Sequence, residues 1–221
     1  MRPGTMPGMS EHVRPPQAKL AEPLGEDEIH VWSCAYRPAV GREPLRRLLA
    51  RYLGSDADTL QLHEEEHGRP VLQAGGRGAL RFNWSHSGER ALVAVARSVQ
   101  PGIDLEHRAR RTRDVLALAR RFFAATEATA LERCDDASRP LQFLRLWTAK
   151  EALLKAQGRG LAFGMERVAV SLDPGSPALL AFEGEVLADW HLKELMCDEA
   201  WVAALAWRGR PMEVRWRGDL E

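Results

Sequence analysis

Glu151 and Lys155 stand four residues apart in WTAKEALLKAQGRG (147–160), a run of strong helix formers. At that spacing an acid and a base project from one helix face, one turn apart. Upstream, GIDLE (102–106) sets Asp104 and Glu106 two residues apart, so on a strand both carboxylates point to the same side. Ile103 and Leu105 then enter a core while the acids face a cleft. Two carboxylates on one strand face repel unless a cation lies between them. Magnesium suits such a place, since it takes a few carboxylates, some water and phosphate oxygens. Three carboxylates, a lysine and the SHS triplet at 85–87 together suggest a metal-assisted site for a phosphorylated substrate.

Each piece also has an ordinary reading. GIDLE alone fits a solvated strand face. The Glu151–Lys155 pair alone fits a surface ion pair contributing about 0.2–0.5 kcal/mol. Trp147 weighs against the latter, because it puts a large aromatic on the same stripe, which is therefore expected to be covered or to line a pocket. Lys150, just off that stripe, is a further candidate to reach an anion. Arg69 lies between a glycine and a proline, so its backbone is constrained in a way that suits a phosphate or nucleobase contact. His86 fits a phosphate ligand, a base or a satisfied loop histidine. Ser85 beside it makes no hydrolase triad, since neighbours on an extended chain point apart and no G-x-S-x-G elbow is present. Asn83 is expected to organise a turn.

The elements that must position these groups follow from periodicity. Residues 1–28, rich in Pro, Gly, Glu and Met, are read as a disordered tail, with order beginning at a strand, IHVWS (29–33). EPLRRLLARYLG (43–54) reads as a helix with an apolar stripe of Leu45, Leu48, Leu49, Tyr52 and Leu53, stopped by Gly54. Short strands are expected near 59–64, 70–73 and 79–83, and ALVAVAR (91–97) is expected to form a hairpin with GIDLE around Pro101. A helical run covers about 114–133. After the polar break CDDASRP, a helix from Leu141 to Ala156 presents Leu146, Ala149, Leu153 and Ala156 to the core, and Gly158 and Gly160 end it. Strand-like segments complete the chain: RVAVSL, ALLAF, EVLADWHL, AWVAALAW and MEVRW. Each half reads as helix followed by strands. The expected fold is α+β, with two similar halves (29–102 and 103–221) in a pseudo-twofold relation. Each would be a helix on a small antiparallel sheet, with the site in the cleft between them.

Bulk properties exclude other classes. The 221 residues carry a formal net charge of zero, which argues against a dedicated nucleic-acid or anionic-membrane binder. Three widely spaced cysteines suggest neither a disulfide framework nor a zinc site, and reduced cytosolic thiols are the simplest reading. No apolar run approaches the length of a membrane span, and no signal peptide is evident. A cytoplasmic location is expected.

Taken in order, HGRPVL (67–72), FNWSHS (82–87), GIDLE, FF-x-x-x-E (122–127) and WTAKEALLKAQGRGL resemble the 4′-phosphopantetheinyl transferases. The similarity is to the long single-chain, surfactin-synthetase-activating type with two pseudo-repeated halves, and it covers roughly residues 42–172. Each motif is weak alone; five in order at compatible spacing are specific. The resemblance implies transfer of the phosphopantetheine arm of coenzyme A, the substrate, to a serine of an apo acyl- or peptidyl-carrier protein, with release of 3′,5′-ADP. It implies that Asp104, Glu106 and Glu151 hold Mg2+, with Mn2+ a possible substitute. His86 would contact the 3′-phosphate with Ser85 nearby, Arg69 would lie near the adenosine phosphates, and Lys155 would bind the pyrophosphate. Lys150 belongs to the same motif. Glu151 or a metal-activated water is the candidate base.

One departure from the family pattern is a short segment before EPLRRLLARYLG, with Arg37 and Arg42 the candidates to replace missing basic residues. Weaker or altered coenzyme A binding is expected from it. It also keeps open an impaired coenzyme A- or carrier-binding module, and a metal-dependent phosphohydrolase is a third reading. HRARRTRD (107–114) is the expected docking region for an acidic carrier. A two-repeat chain is expected to work as a monomer.

Overall fold

A computed structural model describes residues 23–72, 80–109, 114–171 and 177–220. The fold is mixed α+β. Strands β1 (Glu28–Ala35), β4 (Arg81–Ser87), β5 (Arg90–Ala96) and β11 (Glu213–Leu220) make one sheet in the order β11-β1-β5-β4. A second sheet has the order β6-β10-β9, from β6 (Pro101–His107), β9 (Trp190–Leu195) and β10 (Trp201–Arg208). Two short ribbons complete the strands: β2 (Leu62–Glu64) with β3 (Pro70–Leu72), and β7 (Val168–Val170) with β8 (Leu179–Phe182). The helices are α1 (Glu43–Leu53), α2 (Val115–Phe122), α3 (Ala125–Arg133) and α4 (Arg139–Gln157).

The strand alternation dictates four layers. On β5, Leu92, Ala94 and Ala96 join Ile29 and Val31 of β1 in a core shared with Ile103 and Leu105 of β6 and Ala203, Leu205 and Trp207 of β10. The two sheets therefore pack face to face. The opposite residues of β5, Val93 and Val95, meet Leu45, Leu48 and Leu49 of α1. The opposite residues of β10, Val202, Ala204 and Ala206, meet Leu146, Ala149 and Leu153 of α4. Period two on the strands and period 3.6 on the helices place α1 outside one sheet and α4 outside the other.

Gly102 sets how closely α4 lies on β6. A Cβ built there would stand 2.1 Å from the Ala152 carbonyl oxygen and 2.3 Å from the Ala156 nitrogen. Only a residue without a side chain lets the helix backbone approach the strand this far. The face that Gly102 shares with Asp104 and Glu106 is thereby pressed against α4.

Several sequence expectations need correction. Residues 1–22 of the expected tail lie outside the described residues, but the following stretch is tied down: Leu24 is buried, its carbonyl accepts from Arg97 Nε at 3.0 Å, and β1 starts at Glu28. β5 and β6 form no hairpin, since they belong to different sheets and β6 pairs with β10. The helical run at 114–133 is two helices, because Phe123 turns to extended backbone (φ −103°, ψ 164°) between them. The FNWSHS segment is strand throughout, so Asn83 sits mid-strand rather than in a turn. β11 pairs in parallel with β1, so the last strand of the chain completes the first sheet, and the expected boundary at 102/103 falls within β6.

Candidate active site

The site lies where the edge strand β4 of one sheet runs beside the edge strand β6 of the other, under α4. Asp104 and Glu106 are both buried, on the face of β6 that meets α4. Lys155, on the last turn of α4, reaches down to that face. Its Nζ stands 2.6 Å from Asp104 Oδ1 and donates to Ser85 Oγ at 3.1 Å and to the Ile103 carbonyl at 3.2 Å. Ser85 Oγ in turn donates to Asp104 Oδ1 at 2.8 Å. Glu106 Oε2 accepts from Ser87 Oγ at 2.9 Å. Glu151 lies half-buried one turn before Lys155 on α4.

Alternation along β4 sorts its side chains into two functions. Asn83, Ser85 and Ser87 turn toward β6, while Trp84 and His86 take the other face. His86 is exposed and stacks on Tyr36 with ring centroids 4.0 Å apart and an interplanar angle of 18°. Desolvation and the Lys155 charge hold its imidazole below the usual histidine value, against a smaller upward pull from Asp104 and Glu106. Ser85 and His86, adjacent in sequence, thus serve opposite sides of one strand.

A cavity of about 160 Å³ opens beside this cluster and is lined by Arg42, Arg69 and Lys155 together with Trp84, Gly158 and Gly160. Three cationic side chains from α1's N-cap, the β2–β3 ribbon and α4 thus converge. Arg69 is steadied by Glu65 Oε2, at 2.9 Å from Nε, and Arg42 by Glu64 Oε1 at 2.5 Å. Gly158 ends α4 at φ 90°, and a Cβ there would meet Arg69 Nη1 at 3.1 Å. Glycine at that helix end therefore serves both the left-handed turn and the space for the guanidinium.

Lys150 does not join the site. It follows Leu146 by four and precedes Leu153 by three, so it sits beside the apolar stripe and is fully buried. Its Nζ stands 2.5 Å from Glu127 Oε2 and donates to the carbonyls of Met165 (3.0 Å) and Val168. Burial pushes its ammonium below the usual lysine value, and the Glu127 charge opposes that. Lys150 is a structural link between helices α3 and α4 and the β7 ribbon. Trp147 is covered, as its stripe implied, by Phe122, Phe123 and Phe143. Arg37 is exposed and Arg110, Arg111 and Arg113 lie outside the described residues.

The donor set suits a hard cation. Asp104 Oδ2 is buried with no hydrogen-bond partner, a costly state for a carboxylate oxygen unless something else takes it. Among the described residues no three His, Cys, Asp or Glu side chains already converge as a metal cage. Magnesium does not need one, because it is held by one or two carboxylates plus water and substrate phosphate oxygens.

The 4′-phosphopantetheinyl transferase superfamily model matches residues 100–206, the span that carries β6, α4 and β10. A 4′-phosphopantetheinyl transferase of a Nostoc species, HetI, is 39% identical over 199 residues, covering 86% of this chain and 81% of the relative. The transferase Sfp of Bacillus subtilis is 30% identical over 139 residues, 62% of this chain and 59% of the relative. A holo-[acyl-carrier-protein] synthase from Thermotoga maritima overlays half of the chain (50%, and 62% of its own length) at 20% identity and a TM-score of 0.38. The chain belongs to the 4′-phosphopantetheinyl transferase superfamily.

Proposed function

We infer that this chain is a 4′-phosphopantetheinyl transferase that moves the phosphopantetheine arm of coenzyme A onto a serine of an apo acyl- or peptidyl-carrier protein and releases 3′,5′-ADP. The observation that carries the reading is the junction of Lys155, Ser85 and Asp104 at the edge of a cavity lined by Arg42 and Arg69. Coenzyme A brings several phosphate charges, and a cleft with three cations opposite buried carboxylates is built to receive them.

In this reading Asp104, Glu106 and Glu151 would hold Mg2+, or Mn2+, with the open Oδ2 of Asp104 as one donor. When bound, the ion would neutralise charge on the pyrophosphate and polarise the phosphorus under attack. The chain's own residues do the rest. Arg69 and Arg42 hold the adenosine end, with Arg42 standing in for basic residues the family carries elsewhere. His86, exposed and turned away from the acids, would contact the 3′-phosphate, while Ser85 serves the acid side instead. Lys155 orients the pyrophosphate and stabilises charge on the departing oxygen. Glu151, or a water activated by the ion where Glu151 is itself a ligand, would take the proton of the carrier serine as its Oγ bonds to phosphorus and the bond to 3′,5′-ADP breaks. In this reading the two helix-on-sheet layers derive from the pseudo-repeated halves, with β11 of the second half joining the first sheet, and a monomer would suffice to build the cleft. Among the described residues no helix is long and apolar enough to cross a membrane; a cytoplasmic carrier is the proposed partner.

The test is to incubate the protein with coenzyme A, Mg2+ and an apo carrier protein and to weigh the carrier by mass spectrometry. Gain of one phosphopantetheine supports the reading. Cleavage of coenzyme A without a carrier would show a phosphohydrolase, and binding without chemistry would show a binding module.

A further inference from the structure

β4 and β6 are neighbours without being partners in a sheet. The edge of β6 that faces β4 lacks a strand ladder, yet its polar groups are met at regular intervals. Asn83 Oδ1 accepts from the Ile103 N–H at 3.0 Å. Two residues on, Ser85 Oγ donates to Asp104. Two residues further, Ser87 Oγ donates to Glu106 Oε2 at 2.9 Å and accepts from the His107 N–H at 3.2 Å. Three short polar side chains at alternate positions of one strand thus take the place of backbone hydrogen bonds to the other. A backbone ladder would hold β6 but leave its carboxylates to find their own rotamers. This seam holds both the strand and its acids.

Ser87 is the most telling of the three, because it grips the side chain of Glu106 and the backbone of the next residue at once. One oxygen, used as donor and acceptor, fixes both the strand position and the carboxylate rotamer. Glu106 also sits on the Gly102 face, so the strand is clamped from α4 above and from β4 at its edge.

We propose that Ser87, supported by Asn83, is a positioning residue that presets Glu106 on β6 for the divalent cation of the transfer reaction. The proposal rests on the transferase reading and adds to it a residue that acts through Glu106. Partners that orient a metal ligand commonly change affinity by about 10–100-fold when removed.

The experiment compares wild type with Ser87→Ala, and with the near-isosteric pair Ser87→Thr and Ser87→Val, which differ in the hydroxyl. Mn2+ is titrated at fixed saturating coenzyme A, without carrier, and free Mn2+ is read by electron paramagnetic resonance. Ser87→Ala and Ser87→Val are expected to bind Mn2+ about tenfold more weakly, with Ser87→Thr close to wild type. In steady state the apparent KM for Mg2+ should rise while the KM for coenzyme A holds. Circular dichroism of metal-free protein checks that all variants are folded, and the Thr/Val pair keeps the comparison valid should Ala disturb the strand. Wild-type binding that Ser87→Ala and Ser87→Val match within about twofold overturns the proposal alone. Wild type that retains no Mn2+ overturns the metal reading and the proposal with it.

Discussion

Helix α4 carries two lysines five residues apart, and each makes a short ion pair with a carboxylate. Lys150 meets Glu127 at 2.5 Å with side chains 0% and 3% exposed; Lys155 meets Asp104 at 2.6 Å with side chains 25% and 7% exposed. The chemistry is the same and the valences are not. Glu127 has both oxygens engaged beyond the lysine, Oε2 by the Ala124 N–H and Oε1 by the Val170 N–H, each at 2.8 Å. Lys150 spends its remaining donors on two carbonyls. That pair is closed. Asp104 keeps one buried oxygen without a hydrogen bond, and Lys155 opens onto a cavity. A closed buried pair holds a fold, and an open one is ready for a ligand.

Breaking one partner of the closed pair should have the largest effect. Lys150→Met or Glu127→Leu strands a buried charge and is expected to cost about 3–5 kcal/mol in urea unfolding. The double variant should recover most of the loss, because both charges leave together. Equal destabilisation by single and double variants would remove the distinction between the pairs. The open pair should answer in rate instead. Lys155→Ala and Glu151→Gln are expected to lower carrier modification about 100-fold or more, about 2.7 kcal/mol, with Glu151→Gln changing stability by less than about 1 kcal/mol. Normal turnover by Glu151→Gln would take that residue off the list.

Gly102→Ala tests the geometry that brings α4 to the acids. Its new methyl meets helix backbone that cannot step aside cheaply, and a loss of about 1–3 kcal/mol is expected, with transfer impaired beyond the fraction unfolded. The smallest expected effect is on pH. His30, fully buried between Glu28 and Tyr52, is held below the usual histidine value of 6.5, chiefly by burial, and His86 shifts the same way. For both, the unfolded chain takes up protons as pH falls below 6.5 while the folded chain resists. Stability should therefore be full above that value and decline below it. For buried His30 the slope is at most about 1.4 kcal/mol per pH unit until the folded form also protonates, and exposed, solvent-screened His86 adds less. His30→Gln should lose stability at pH 7.5 yet flatten that decline in unfolding curves taken from pH 7.5 to 5.5.

The comparison of the two lysines also shows where sequence reading reaches its limit. GIDLE and WTAKEALLK gave the face of β6 and the face of α4 correctly, since strand and helix periods are local. The sequence reading set Lys150 just off the Glu151–Lys155 stripe as an anion ligand, whereas the structure puts it beside the core stripe, between Leu146 and Leu153. Glu127, which satisfies it, comes from another helix, and only the FF-x-x-x-E motif hinted at its importance. Nothing local marked Asn83 or Ser87 of the SHS triplet as partners of β6. Their partners are 20 and 19 residues away across two sheets that share no ladder.

The chain's own order of residues determined that Asp104 and Glu106 share one strand face, that Glu151 and Lys155 share one helix face, and that glycines follow α4. These depend on backbone periods and on conformations few residues tolerate. The tertiary structure alone decided which lysine meets the cleft, that β6 leaves β5 to pair with β10, that β11 returns to β1, and that β4 grips β6 through side chains. Each of those depends on which distant element fills a given hydrogen-bonding valence, and no local pattern specifies that.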